Sequence, residues 1–253
     1  MSASNSRSQP INDLPERKFV RMSQRPEPRS NNITLVRSKD NRDRRPVVFV
    51  IYYSMYGHVA ALASSIRAGV ENSGCDCRVF QVAETLSDEI LKKMHAPPKN
   101  KDIPIITSDQ LPEADGFLFG IPTRFGTVPA QMKALFDACG SHWLSDALLG
   151  KPAGVFFSTA TLGGGQETTA LSCVPFFAHL GMLFVSLGYR NKSLMNLDEI
   201  HGGSPYDINL GAGTIAGTQG ERRVSQLELQ IAQTQGIEFG KIVSKLKSTP
   251  TKV

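Results

Sequence analysis

The sequence predicts an α/β fold, a doubly wound five-stranded parallel sheet preceded by a basic, disordered N-terminal tail. Three observations predict it. Apolar runs of strand length recur between residues 47 and 185, segments of helical period lie between them, and a Ser/Arg/Asn/Pro-rich stretch fills residues 1–46. A chain of 253 residues has room for one large domain and a tail.

Charge separates the two parts. Residues 1–46 hold eleven Lys/Arg and five Asp/Glu, a surplus of six; the whole chain stands at +5, so residues 47–253 sum to −1. The folded part therefore has no electrostatic case for binding nucleic acid. The tail has too few apolar residues to offset the entropy of ordering and is expected to be disordered. Its Ser/Arg bias resembles a mitochondrial transit peptide, but Asp13, Glu16 and Glu27 argue against that, and it lacks the apolar core of a secretory signal. Its cations suit peripheral contact with an anionic membrane surface.

Each element then follows in order. "VVFVIYY" (47–53) is continuously apolar, as a strand covered on both faces requires. Val59, Leu62, Ala63, Ile66 and Val70 recur at helical spacing, with Gly74 at the stop. "CRVFQV" (77–82) is the second strand, and "SDEILKKM" (87–94) a short helix with acids first and lysines last, matching its dipole. After a Pro-broken loop comes "GFLFGI" (116–121), the third strand. Val128, Met132, Leu135 and Phe136 mark a helix with Pro129 in its first turn and Gly140 after its end. "AGVFFS" (153–158) is the fourth strand. A helix from about Gln166 is ended or kinked by Pro175, and "MLFV" (182–185) begins the fifth strand. Ser225-x-x-Glu228 is a capping box opening a last helix to about Leu246, placing the folded domain at 47–247. The most apolar stretch, "VPFFAHLGMLFVSLGY", is too short and too interrupted to span a bilayer.

In such a sheet the ligand lies beyond the carboxyl ends of the strands, at the switch in strand order. Three segments fall there: "SMYGHV" (54–59), "PTRFG" (122–126) and "STATLGGGQE" (158–167). The first runs into a helix N-terminus, contains no Lys or Arg, and reads either as a plain cap or as a phosphate site built from backbone N–H groups and the Ser54 hydroxyl. Several ligands are excluded by missing residues. No G-x-G-x-x-G follows the first strand, Gly211-Ala-Gly213 follows none, and no P-loop occurs. Ser54 and Pro122 stand where a receiver domain needs acids. No cysteine has an Arg six positions on, as a low-molecular-weight phosphatase needs, and there is no G-x-S-x-G. Cys75, Cys77, Cys139 and Cys173 have no metal-ligand spacing and no disulfide pattern, so no metal and a reducing, cytoplasmic compartment are expected. A neutral, aromatic-rich mononucleotide site remains, as a flavin phosphate requires; Gly163–Gly165 would let backbone approach a flat ring, or form a plain turn.

"YYSMYGH", "ADGFLFGIPTRFG", "GKPAG", "GGGQETTAL" and "GGSPY…GTIAG" together closely resemble the WrbA family of flavodoxin-like NAD(P)H:quinone oxidoreductases, over residues 47 to about 245. The resemblance implies FMN, NADH or NADPH as electron donor, a homotetramer, and two-electron reduction of quinones to hydroquinones. By position, Ser54, Met55, Tyr56, Gly57, His58 and Val59 resemble the phosphate loop. Thr123, Arg124 and Phe125 resemble the ring-binding turn, and Ser158, Thr159, Ala160, Thr161, Leu162 and Gly163 the second ring loop. His179 corresponds to a flavin-site, catalytic histidine, Trp143 to a quinone contact and Tyr56 to a nicotinamide contact. Without the resemblance, Trp143 reads as packing and His179 as a helix-end histidine.

This sequence also departs from the family. Ala160 stands where Gly is usual; were φ positive there, Ala would cost about 1 kcal/mol. Thr127–Pro129 replaces a smaller segment, Leu180 a second histidine and His201 an Arg, and "DINLG" (207–211) is inserted in a late loop. The leading expectation is an FMN-dependent quinone reductase with a ping-pong cycle that limits one-electron quinone cycling. The alternative is a low-activity flavodoxin-like scaffold or regulator acting through its tail or oligomer, with a membrane surface as one candidate location. An electron carrier is disfavoured by the lack of an acidic docking face.

Overall fold

Strand β1 (Val47–Tyr52) is buried at every position, and its alternate side chains feed two separate cores. Val48, Val50 and Tyr52 pack on one face of the sheet, while Val47, Phe49 and Ile51 pack on the other. The computed structural model describes residues 44–203 and 209–248, all within the compact unit Lys39–Val253. Most of the tail expected over 1–46 therefore lies outside the described residues. β2 (Asp76–Gln81), β3 (Gly116–Pro122), β4 (Pro152–Thr159) and β5 (Leu183–Phe184) complete a parallel sheet of order β2-β1-β3-β4-β5. Strand order reverses between β1 and β3.

The first face is covered by α1 (His58–Asn72) and α7 (Gln226–Ser248). They meet almost backbone to backbone: a Cβ built on Gly69 would lie 2.1 Å from the Gln233 carbonyl oxygen, and one on Gly236 2.2 Å from that of Ile66. The other face carries α3 (Ala130–Asp137) and α6 (Val174–His179), joined by the stacked rings of Phe136 and Phe176. Among the described residues no helix is long and apolar enough to cross a membrane.

Four expectations change at their edges. Gly140 does not follow a helix end but opens α4 (Gly140–Ser145), after the chain has turned through Ala138 and Cys139. Pro129 sits just ahead of α3 as its cap, its ψ of 154° still extended. The break expected at Pro175 falls upstream, between α5 (Gln166–Leu171) and α6, which leaves Pro175 in the first turn of α6 where its missing N–H is harmless. The fifth strand is short and has a companion: β5 pairs with the start of β4, whereas β6 (Gly213–Ile215) pairs with its end. Three residues led by glycine have no periodicity to read, so β6 escaped detection. The short helix α2 (Asp88–Lys93) and the Ser225–Glu228 capping box are as expected.

Glu84 locks the end of β1 to the loop after β2. It accepts from the Tyr53 hydroxyl at 3.0 Å, Gln131 Nε2 at 2.7 Å and the Thr85 and Leu86 amides, and it pairs with Lys99 at 3.1 Å. Burial by itself raises a carboxyl pKa, but these donors outweigh it and hold Glu84 at about 2, below its ordinary 4.5. The Tyr53 phenol is raised by its burial and by the Glu84 charge. Because the folded-state carboxyl pKa is depressed, its stabilisation is complete above about pH 5 and disappears as pH falls toward 2. Glu84→Gln is expected to remove on the order of 2 kcal/mol of the stability lost between pH 7 and pH 3. Urea unfolding at pH 7 and pH 3 measures it; equal pH dependence in both proteins would contradict it.

Candidate active site

Where β1 and β3 diverge, their carboxyl ends border a cleft of about 530 Å³, within the size range of small-molecule sites. Its lining includes Ser54, Met55, Tyr56, His58 and Val59 after β1, Pro122, Thr123 and Arg124 at the end of β3, and Ser158, Thr159 and Ala160 at the end of β4. The three segments singled out from sequence thus converge. Met94 and His95, and Ala216 to Gly220 after β6, form the remaining walls.

The first segment is shaped for an anion. Gly57 caps α1 at φ +92°, a left-handed conformation that favours glycine. Ser54 Oγ accepts from the Gly57 and Ala60 amides at 3.2 and 3.3 Å, while the His58 and Val59 amides, in the first turn, have no intrahelical acceptor. No Asp or Glu lines the cleft, and Arg124 is the one Lys or Arg among the lining residues. A dianion held by backbone donors and the helix dipole suits this setting, so the residues present fit a flavin phosphate.

The loops after β3 and β4 are held by hydrogen bonds. Thr123 N donates to Ser158 O at 2.9 Å, and Gly126 N to Thr123 Oγ1 at 3.0 Å. Arg124 folds back onto the Thr123 carbonyl at 2.8 Å. Thr159 Oγ1 accepts from Gln166 Nε2 and donates to Thr161 O, both at 3.0 Å. Non-glycine residues with positive φ are His95, Phe125 and Asp146 among those described, so Ala160 carries none of the strain considered from sequence. Tyr56, half exposed at the rim, donates its hydroxyl to Met94 O at 3.1 Å.

Other expected residues stand outside this lining. Gly57, Phe125, Thr161, Leu162 and Gly163 are on the same loops without lining the cleft, and the Phe125 ring is fully exposed. His179 ends α6 beside a second groove of about 460 Å³, with Thr127, Val128, Phe136 and Phe176. Trp143, on α4, is half buried against the core of that same sheet face. The chain's own fold therefore does not bring His179 or Trp143 into the cleft. Of the departures, Leu180 is buried, and His201 is buried with Nδ1 2.8 Å from Gly202 O. Residues 207 and 208 of the insertion lie outside the described residues; Asn209 O accepts from Gly188 N at 2.9 Å, away from the cleft. All four cysteines are free thiols, Cys77 being the one that is not buried.

Sequence reasoning missed the Met94–His95 and Ala216–Gly220 walls. The second had a signal, since Gly217 and Gly220 punctuate a turn at φ +84° and +73° next to a quoted motif. The first had none, because it is placed by the tertiary bond from Tyr56.

Comparison with known proteins agrees with this geometry. The family described as NADPH-dependent FMN reductase matches residues 48–193. "Quinone-oxidoreductase QR2" of Triphysaria versicolor is 52% identical over 204 residues, 80% of this chain and 97% of that one. "NAD(P)H quinone oxidoreductase YCP4" of Candida albicans is 50% identical over 201 residues, 79% of this chain and 68% of that one. The crystal structure of the flavodoxin, WrbA-like protein from Agrobacterium tumefaciens superposes with a TM-score of 0.53 over 79% of this chain and 98% of that one at 22% identity, which establishes the common fold. With the switch-point cleft, the family match and two relatives at half identity in agreement, the chain belongs to the NADPH-dependent FMN reductase family, among its flavodoxin-like NAD(P)H:quinone oxidoreductases.

Proposed function

We propose that this protein reduces quinones to hydroquinones by two electrons, using FMN in the β1/β3 cleft and NADH or NADPH as donor. The observation that carries the reading is the carboxylate-free cleft at the strand-order switch, with the amide-rich start of α1 at one end and the β3 and β4 loops at the other. When bound, FMN supplies the two-electron chemistry, taking a hydride from the nicotinamide and passing the electrons to the quinone. The chain's residues bind and orient. The α1 amides hold the phosphate, the backbones of residues 122–124 and 158–160 meet the ring, and the Tyr56 ring offers a flat face at the rim to each substrate in turn. Donor and acceptor sharing that place gives a ping-pong order, and two-electron reduction avoids semiquinones and so limits quinone stress.

The reading includes a homotetramer. Trp143 and His179 sit away from their own chain's cleft, and Phe125, Leu144 and Leu149 are among the exposed apolar side chains. Neighbouring copies would cover these and bring Trp143 to the acceptor and His179 near the developing charge, where an imidazole can donate a proton. The scaffold alternative drew on Ala160 and the changed loops, and of these Ala160 is unstrained.

FMN titration of the purified protein, followed by NADH or NADPH and then benzoquinone, tests the proposal. The expected result is tight flavin absorbance that bleaches with donor and returns with quinone, in a species of tetrameric mass by sedimentation. No binding at micromolar FMN would overturn it.

A further inference from the structure

The far wall of the cleft is fastened by an ion pair between partly buried Arg222 and fully buried Glu228, neither of which is among the lining residues. Glu228, in the first turn of α7, is wholly buried. Its carboxylate accepts from Arg222 at 2.9 and 3.0 Å, Thr214 Oγ1 at 2.8 Å, and the amides of Ser225 at 2.9 Å and Gly202 at 3.0 Å. The same guanidinium donates to the carbonyls of Ile215 at 2.9 Å and Ile200 at 2.8 Å. Arg222 is therefore paired with a carboxylate: Nη1 serves Glu228 and the Ile215 carbonyl, and Nη2 the Ile200 carbonyl.

Its backbone does the positioning. Arg222 N donates to Ala216 O at 2.8 Å, closing the Ala216–Gly220 wall into a loop, and Gly220 N closes the inner turn on Gly217 O at 3.0 Å. Arg222 O lies 2.8 Å from His58 Nε2. A carbonyl only accepts, so Nε2 carries the proton and His58, the first residue of α1, is tied to that wall. One residue, anchored by its side chain on Glu228, thereby links the 216–220 wall to the amide-bearing start of α1 through its own N–H and C=O. The β3 and β4 ring segments are held by strand pairing instead.

We propose that Arg222, through its pair with Glu228, is a positioning residue for the cofactor's phosphate, and that it governs discrimination between FMN and the phosphate-free riboflavin. This rests on the cleft being the FMN site. Arg222→Lys keeps the charge but loses the planar fork that reaches two carboxylate oxygens and two carbonyls at once. His58→Phe keeps the ring and loses the bond to Arg222 O without exposing a buried charge.

Dissociation constants of FMN and riboflavin, from flavin fluorescence quenching, test it in wild type, both variants and the double variant. Arg222→Lys is expected to raise the FMN constant about 10- to 100-fold, the loss of charge-assisted bonds, while riboflavin changes less than about threefold. The double variant should lose little more than the worse single one, because both act through one bond. Equal losses for the two flavins, unchanged FMN affinity or strict additivity would each overturn the proposal. Should Arg222→Lys fail to fold by circular dichroism, the FMN-selective loss in His58→Phe supports it and its absence overturns it. Wild type that binds neither flavin would remove the cofactor reading and this inference together.

Discussion

Replacing Gly69 by Ala is expected to destabilise the protein by about 3 kcal/mol or more, although Ala is the better helix former. In a free helix the change gains about 1 kcal/mol. Here the new methyl would lie 2.1 Å from the Gln233 carbonyl oxygen and 2.9 Å from the Ile237 amide nitrogen, both backbone atoms of α7. Neither can rotate away, so the two helices must separate and open the buried contacts of Ile66, Val70, Ile231 and Ala232. Gly140→Ala is the control: no atom lies within 4 Å of its added methyl and its φ is not positive, so its stability should stay within about 1 kcal/mol of wild type. Thermal unfolding separates the two, with a fall on the order of 6–12 °C expected for the first. An unchanged melting temperature for Gly69→Ala would mean that α1 and α7 do not cross at this distance.

That contact also marks where sequence reading stops. The strands were readable because β1, β3 and β4 are buried on both faces and so carry unbroken apolar runs. α1 was readable because Val59, Leu62, Ile66 and Val70 share one face. Nothing in the sequence distinguishes Gly69 and Gly236, which let two helices touch, from a glycine that ends one. Gly140 shows the converse: read as a stop, it starts a helix. β6 and the Met94–His95 wall exist through partners far along the chain, and local pattern carries no record of such partners. Glu228 was half visible, as a capping residue whose spacing to Ser225 is local. Its role at the centre of five donors, from Gly202, Thr214, Ile215, Arg222 and Ser225, depends on segments 200–202 and 213–222 folding back onto it.

The site divides in the same way. Residues 54–56, 58, 59, 122–124 and 158–160 meet at the cleft because they lie at or just past the carboxyl ends of strands, and parallel strands deliver those ends to one edge. His179 and Trp143 came from likeness alone, and the single chain leaves them on other surfaces. A tetramer would account for that, since one chain's sequence pattern cannot show which surfaces meet another copy.

Ser54→Asp is expected to move stability and cofactor affinity in opposite directions within one variant. The Ser54 hydroxyl already accepts from the Gly57 and Ala60 amides at 3.2 and 3.3 Å. A carboxylate there can take the same donors with a full charge beside the positive end of α1, gaining about 0.3–1 kcal/mol for the cofactor-free protein. The same charge would stand where the phosphate must bind. Two unit charges about 4 Å apart at a protein surface repel by about 4 kcal/mol, so FMN affinity should fall about a hundredfold or more, which is about 2.7 kcal/mol. Riboflavin, with no phosphate, should bind nearly as it does to wild type. Ser54→Ala, which removes an acceptor and adds no charge, should weaken FMN far less. Calorimetric melting of the cofactor-free protein and fluorescence titration with both flavins read the two signs independently. If Ser54→Asp bound FMN as tightly as wild type, the phosphate could not lie at the start of α1. A loss of both flavins alike would instead mean that the substitution had distorted the ring loops, which geometry disfavours because Ser158 and Thr123 are held to each other and not to Ser54.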